Sequence, residues 1–268
     1  MIKAYRYKLQ PNKTQRELLS QFFGCARFIY NWGLNKKTSE YKEHGKSVTY
    51  NTLAKELTSL KKEEDYLWLQ NVPNECLQQS LRNLENAYTR FFREKKGYPK
   101  FKSKKDITQS VKMINSTHFD FEEWKVKLPK LGWVKMCKNQ AFNTEWKHGT
   151  VTISIDCCGT IWCSVAIDNG QPKPSKTKME ETTAVGIDLG IKYFATLSDG
   201  TKVSNPKFYE KSQKRLAKLQ KQFARTQKDS KRHEQLRIKV AKLHRSIHNQ
   251  RNDMLHKFEL LDLCNISI

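Results

Sequence analysis

At 268 residues, with 50 Lys and Arg against 27 Asp and Glu for a formal net charge of +23, the chain is a strong polycation. A hydrophobic content of 37% with 13 Phe, 10 Tyr and 6 Trp excludes a disordered chain. No apolar run reaches the roughly 18 residues of a membrane span. A charge excess of this size calls for a polyanionic partner. Nucleic acid leads, because neutralising phosphates releases counterions; no membrane surface and no small-molecule substrate is expected. The start, Met1-Ile2-Lys3-Ala4-Tyr5, lacks a signal-peptide core, so a cytoplasmic, nucleoid-associated location is expected.

Residues 2–9 alternate as a strand, with Tyr5, Tyr7 and Leu9 on one side, and stop at Pro11. Helices follow. Leu18, Phe22, Ala26 and Ile29 recur at helical spacing behind a capping box read at Thr14 and Glu17. A second helix follows Thr49 with Leu53, Leu57 and Leu60. A third begins near Pro73, stripes Leu77, Leu81, Leu84, Tyr88 and Phe91 along one face, and ends at Gly97-Tyr98-Pro99. These stripes are read as the core of a small helical bundle.

From about Lys100 the pattern changes to strands. Phe119 to Leu128 and Trp133 to Met136 precede a hairpin that joins 151–156 to 161–167 through Cys158-Gly159. The strand at 2–9 is expected to join this sheet, which makes the helices an insertion. Residues 171–181 read as a linker by their Pro, Lys and Ser content. Beyond Pro206 come two basic helices with a break at Asp229-Ser230. Pro206 to Lys257 holds 16 Lys and Arg against 4 Asp and Glu, a local net of +12. Apolar stripes run through Leu216, Leu219 and Phe223, and through Leu236, Val240, Leu243 and Ile247. Lys214, Arg215, Lys221, Arg225, Arg245 and Arg251 are the cations expected to meet phosphate, together with Lys192 farther upstream.

The seven cysteines include no C-x-x-C pair, and His244 with His248 has no accompanying carboxylate or thiol, so no zinc is expected. Asp188 stands apart. It lies in Val185-Gly186-Ile187-Asp188-Leu189-Gly190, an apolar strand in which Asp is disfavoured because its short side chain competes for backbone hydrogen bonds. A metal ligand, a catalytic acid and a satisfied structural hydrogen bond are all open from this feature alone. Two-metal phosphodiester hydrolysis needs several carboxylates, and one Asp does not supply them.

Five ordered segments together resemble the TnpB (OrfB) family of insertion-sequence RNA-guided nucleases. They are Gly24 to Trp32 (GCARFIYNW), Gly97 to Lys102 (GYPKFK), Leu128 to Val134 (LPKLGWV), Gly186 to Lys192 (GIDLGIK) and Arg251 to Lys257 (RNDMLHK). The resemblance implies an α+β chain: a wedge-type β-barrel over residues 1–10 and 100–170, split by a helical recognition domain at 11–99. A RuvC-like, RNase H-fold domain with a basic helical hairpin then occupies 182–268. It also implies DNA and a guide RNA from the transposon end as partners, and Mg²⁺ as cofactor in intact members. By position in the matching stretches Tyr50 and Gln78 are candidate readers of a short duplex motif beside the target. Asp188 is the first RuvC carboxylate and a candidate metal ligand.

Members of the family continue past the region of His256-Lys257 into a strand with a catalytic Glu, a four-cysteine zinc ribbon and a last catalytic Asp. Here Phe258 to Ile268 follows instead, and Glu259 and Asp262 do not map onto the missing acids. The expectation is a C-terminally truncated, nuclease-deficient protein, cut short by a frameshift or premature stop, that retains nucleic-acid binding without productively bound Mg²⁺. Two rival readings are an RNA-guided DNA-binding repressor without catalysis, and a decayed product destabilised by an open apolar sheet edge.

Overall fold

The computed structural model describes residues 1–106, 108–114, 117–172 and 185–265, with the backbone alone at 147 and 260–265. Positions 173–181 of the expected linker lie outside the described residues. The chain forms a mixed α/β structure in two compact units, Met1–Pro172 and Lys173–Ile268.

In the first unit, strand β1 (Ile2–Gln10) shows the predicted alternation: Tyr7 and Leu9 are buried, Tyr5 is half-buried, and Arg6 and Lys8 are exposed. Pro11 ends the strand and Asn12 caps helix α1 (Lys13–His44). The Asn12 side chain accepts the Gln15 N–H at 2.8 Å, and Gln15 Oε1 accepts the Asn12 N–H at 3.1 Å. The capping box is therefore Asn12/Gln15, not Thr14/Glu17, because Asn12 is the extended residue and Thr14 already lies inside the first turn. Leu19, Phe22, Phe23, Ala26, Ile29 and Leu34 are the buried face of α1, while Leu18 is only half-buried.

Helix α2 (Tyr50–Leu60) starts behind Thr49, whose hydroxyl accepts the Thr52 N–H. A 3₁₀ segment, Glu64–Asn71, leads to α3 (Asn74–Glu94), which buries Cys76, Leu77, Leu81 and Leu84. Two features bring α1 and α3 close. A Cβ on Gly33 would stand 3.0 Å from both Leu81 and Leu84, so only hydrogen fits there without displacement. The buried Ser80 hydroxyl donates to the Ala26 carbonyl. α3 ends earlier than the sequence pattern indicated: Lys95 adopts φ 52° and its N–H bonds the Arg90 carbonyl, so Gly97 is not the cap.

The strands β2 (Gln109–Met113), β3 (His118–Asp120), β4 (Lys125–Leu128), β5 (Gly132–Met136), β6 (Lys147–Ile155) and β7 (Ile161–Asp168) form one antiparallel sheet with β1. Its order is β2-β6-β7-β1-β5-β4-β3. β1 pairs with β7 from Ile2↔Asp168 to Lys8↔Trp162 and with β5 at Leu9↔Met136, so the helices leave and re-enter between strands of one sheet. Tyr7, Phe121, Trp124 and Phe142 meet beside β1 at ring separations of 4.8–6.5 Å. The β6–β7 hairpin turns on Asp156, whose carboxylate accepts the Cys158 N–H at 2.9 Å, the Thr160 N–H at 3.0 Å and the Trp162 indole N–H at 2.6 Å.

In the second unit, β8 (Ile187–Leu189), β9 (Tyr193–Leu197) and β10 (Lys202–Ser204) form a small antiparallel sheet in the order β10-β9-β8. Helices α4 (Phe208–Ala224) and α5 (Lys231–Asn265) follow as a hairpin that breaks at Asp229-Ser230, where the charge and turn pattern placed it. No helix among the described residues is long and apolar enough to cross a membrane.

Candidate nucleic-acid interface

Helix α4 sorts its residues by angle. At about 100° per residue, Lys211, Lys214, Lys218, Lys221 and Arg225 fall within about 80° of one another. All five are exposed. Leu216, Leu219 and Phe223 occupy the opposite side, Leu216 buried and the other two half-buried. From Lys211 to Arg225 the stripe runs about 21 Å, the length of about six phosphates along one strand of a duplex. Lys214, Lys221 and Arg225 were legible from the sequence. Lys211 and Lys218 complete the stripe, and their signal was the 3-4-3-4 spacing of the cations rather than their number. Arg215 flanks it and is exposed.

The hairpin is locked at its turn. The Phe223 and His233 rings stack at 4.3 Å, and the Thr226 hydroxyl lies 2.6 Å from the Phe223 carbonyl and 3.1 Å from His233 Nδ1. Leu236 and Ile247 of α5 are buried, with Val240 and Leu243 half-buried between them. The other predicted cations do not join the α4 stripe. Arg245 is half-buried on α5, and Arg251 lines a cavity with Phe194, Asn205, Phe208, Tyr209 and Met254. Lys192 lies in the β8–β9 turn with Nζ 5.8 Å from the Tyr193 ring centre, a ring that Lys202 also approaches at 5.5 Å. His244 and His248 are exposed, and His248 Nε2 lies 3.1 Å from the Asn252 amide.

Asp188 is exposed at the middle of β8, an outer strand of its sheet, paired opposite Thr196. Alternation puts it on the same sheet face as Phe194. That ring meets Phe258 of α5 edge-on at 5.7 Å. The residues around Asp188 do not fit a pair of divalent cations. Among the described residues no group of three or more His, Cys, Asp or Glu could hold a metal. Asp199 serves the β9–β10 turn instead, accepting the Thr201 N–H at 2.8 Å, and those Thr201 hydrogen bonds hold its carboxyl below the usual range. Glu259 lies 3.3 Å from His256 on its own helix. Among the described residues Cys25, Cys76, Cys137, Cys157, Cys158 and Cys163 are not joined in disulfides.

Tyr50 and Gln78 fall in the first unit. Tyr50 opens α2 under the Arg82 guanidinium, which stands 5.2 Å from its ring centre and reaches its hydroxyl from Nε at 3.4 Å. Gln78 lies one turn before Arg82 on α3 and is half-buried. The α2–α3 packing thus sets a guanidinium on an aromatic ring, with Gln78 one turn away along α3, chemistry that suits base edges and phosphate. Arg82 was not singled out from the sequence; its position four residues after Gln78 was the available signal.

Two family models match the chain: OrfB_IS605, described as "Probable transposase", over residues 138–260, and HTH_OrfB_IS605, described as "Helix-turn-helix domain", over residues 1–46. A relative from Escherichia coli (strain K12), "Putative RNA-guided DNA endonuclease InsQ", is 32% identical over 96% of this chain and 62% of its own length. A "Putative RNA-guided DNA endonuclease" from Streptomyces pristinaespiralis is 34% identical over 95% of this chain and 62% of its own length. The chain therefore spans 62% of the length of these relatives. Among solved structures, a Cas12f1–sgRNA–target DNA complex aligns at 12% identity with a TM-score of 0.34, covering 98% of this chain and 70% of that one.

Proposed function

The chain belongs to the OrfB (TnpB) family of insertion-sequence proteins, and from that premise we propose that it binds nucleic acid as an RNA-guided, DNA-targeting member without cutting it on its own. The observation that carries the reading is the cationic face of α4, set against an apolar face that packs inward. A face with five exposed cations and no carboxylate between them is electrostatically unfavourable in the free protein and favourable against phosphate. The partners proposed are DNA and a guide RNA. Tyr50, Gln78 and Arg82 are proposed to contact the target duplex, and the second unit is proposed to descend from a RuvC-like nuclease domain.

The absence of cleavage is proposed because no group of three or more His, Cys, Asp or Glu among the described residues, Asp188 included, could hold a metal. Sites that hold two cations lose activity as a unit when ligands are missing. The test has two arms. The purified full chain is expected to shift single-stranded RNA and duplex DNA in native gels, with an affinity that falls steeply as salt rises. Incubated with Mg²⁺, a guide and a matched duplex, it is expected to leave the duplex intact. Cleavage that Asp188→Ala abolishes would overturn the second part of the reading, and salt-independent binding would overturn the first.

A further inference from the structure

The surface that the nucleic-acid reading leaves unexplained is the C-terminal end of α3 and the segment after it. The buried stripe of α3 stops at Leu84, yet aromatic residues continue along the helix and beyond it. Phe92 is 73% exposed and Tyr98 46%. Isolated exposed rings are common and need no explanation. These rings are not isolated. Phe92 lies near-parallel to Tyr88 at 6.3 Å and edge-on to Phe91 at 5.0 Å. Tyr98 meets Tyr88 and Phe91 edge-on at 5.7 and 5.2 Å.

Polar contacts hold the cluster in place. The Tyr88 and Tyr98 hydroxyls lie 2.9 Å apart, and the Tyr98 hydroxyl lies 3.3 Å from that of Thr38. The Lys37 ammonium sits 5.0 Å from the Tyr88 ring centre while bonded to Glu85 at 2.7 Å. Farther along, the Asn31 amide clamps the backbone of Lys102, accepting its N–H at 2.8 Å and donating to its carbonyl at 2.9 Å. The result is a preorganised apolar ledge, so little conformational entropy is lost when a flat ligand covers it.

Charge decides what the ligand is. Between Arg90 and Lys100 the chain carries Arg90, Arg93, Lys95, Lys96 and Lys100 against Glu94 alone. An apolar protein partner covering the rings would have to desolvate these exposed cations of the same segment. A single-stranded nucleic acid offers flat faces for the rings and phosphates for the cations. A duplex hides its base faces in its own stack. We propose that Phe92 and the rings behind it form a stacking ledge for unpaired bases, with the surrounding lysines and arginines holding the phosphates.

This rests on the chain binding nucleic acid, and the experiment separates the two claims. The full chain is titrated with oligomers of about twelve nucleotides. These are single-stranded RNA, single-stranded DNA, an abasic deoxyribose-phosphate chain of equal charge, and a DNA duplex. Phe92→Ala is expected to weaken binding of base-bearing single strands about tenfold, to change abasic and duplex binding less than twofold, and Phe92→Trp is expected to restore the loss. A loss confined to RNA or to DNA assigns the strand. Photo-crosslinking of wild-type chain to an iodouracil-bearing oligomer is expected to tag a peptide within residues 88–98, independently of how any variant folds. Equal binding by wild type and Phe92→Ala with no crosslink there would overturn the ledge and leave the nucleic-acid reading standing, the rings then facing a protein. A Phe92→Ala loss as large on the abasic chain would also overturn it. No binding of any oligomer by wild type would overturn both.

Discussion

Replacing Lys214, Lys218, Lys221 and Arg225 together by Gln tests the α4 face most directly. All four are exposed on the side of the helix away from Leu216, so the substitution leaves packing intact. Each cation that meets a duplex phosphate contributes about 0.9 to the slope of log K against log salt. At about 0.15 M salt that is about a factor of five in affinity per contact, and about a thousandfold for four. The slope is therefore expected to fall by about 3 to 4 when duplex binding is followed by fluorescence anisotropy over a salt series. A charge-matched control, Lys42, Lys46, Lys62 and Lys138 all to Gln, carries the same net charge and separates face from total charge. The reasoning fails if the α4 variant keeps a slope within about one of wild type, or if the control loses as much.

Other expectations concern the fold. Gly33→Val, which forces a branched side chain against Leu81 and Leu84, is expected to lower stability by about 1–3 kcal/mol in urea denaturation, outweighing any gain in helix propensity. Asn12→Ala, which removes one half of the capping box, is expected to cost about 0.5–2 kcal/mol in the same assay. Asp156→Ala leaves two backbone N–H groups and the Trp162 indole without their acceptor and is expected to cost about 1–3 kcal/mol, with a change in tryptophan fluorescence. Burial pushes the Cys25 thiol up to about 11 and the Cys76 thiol up to about 12. These thiols stay protonated in the folded chain at pH values where the unfolded chain has lost its protons. Their contribution to stability is complete below about pH 9 and is lost as pH rises through 11 to 12. Melting temperatures under reducing conditions are expected to hold from pH 7 to 9 and then fall; a rise above pH 9 would contradict this.

The sequence by itself determined much of this protein. Tyr7 and Leu9 at period two, and Leu77, Leu81 and Leu84 at period 3.6, fix which faces are buried, because only one spacing aligns side chains on a strand or a helix. The five family segments and the charge of the basic hairpin are also local, and point to a phosphate-bearing partner. Local pattern misread the ends. Asn12 capped α1 where Thr14 and Glu17 had been read, and Lys95 ended α3 before Gly97, because caps depend on one residue's backbone angles rather than on periodicity. Only the tertiary structure decided the rest. It put Arg82 on Tyr50 and interlocked Tyr88, Phe91, Phe92 and Tyr98. It sent Arg251 to a cavity by Phe194 instead of to the α4 stripe, and left Asp188 exposed on an outer strand. Each of these outcomes depends on which elements pack together, and a spacing along the chain carries no record of its neighbours in space.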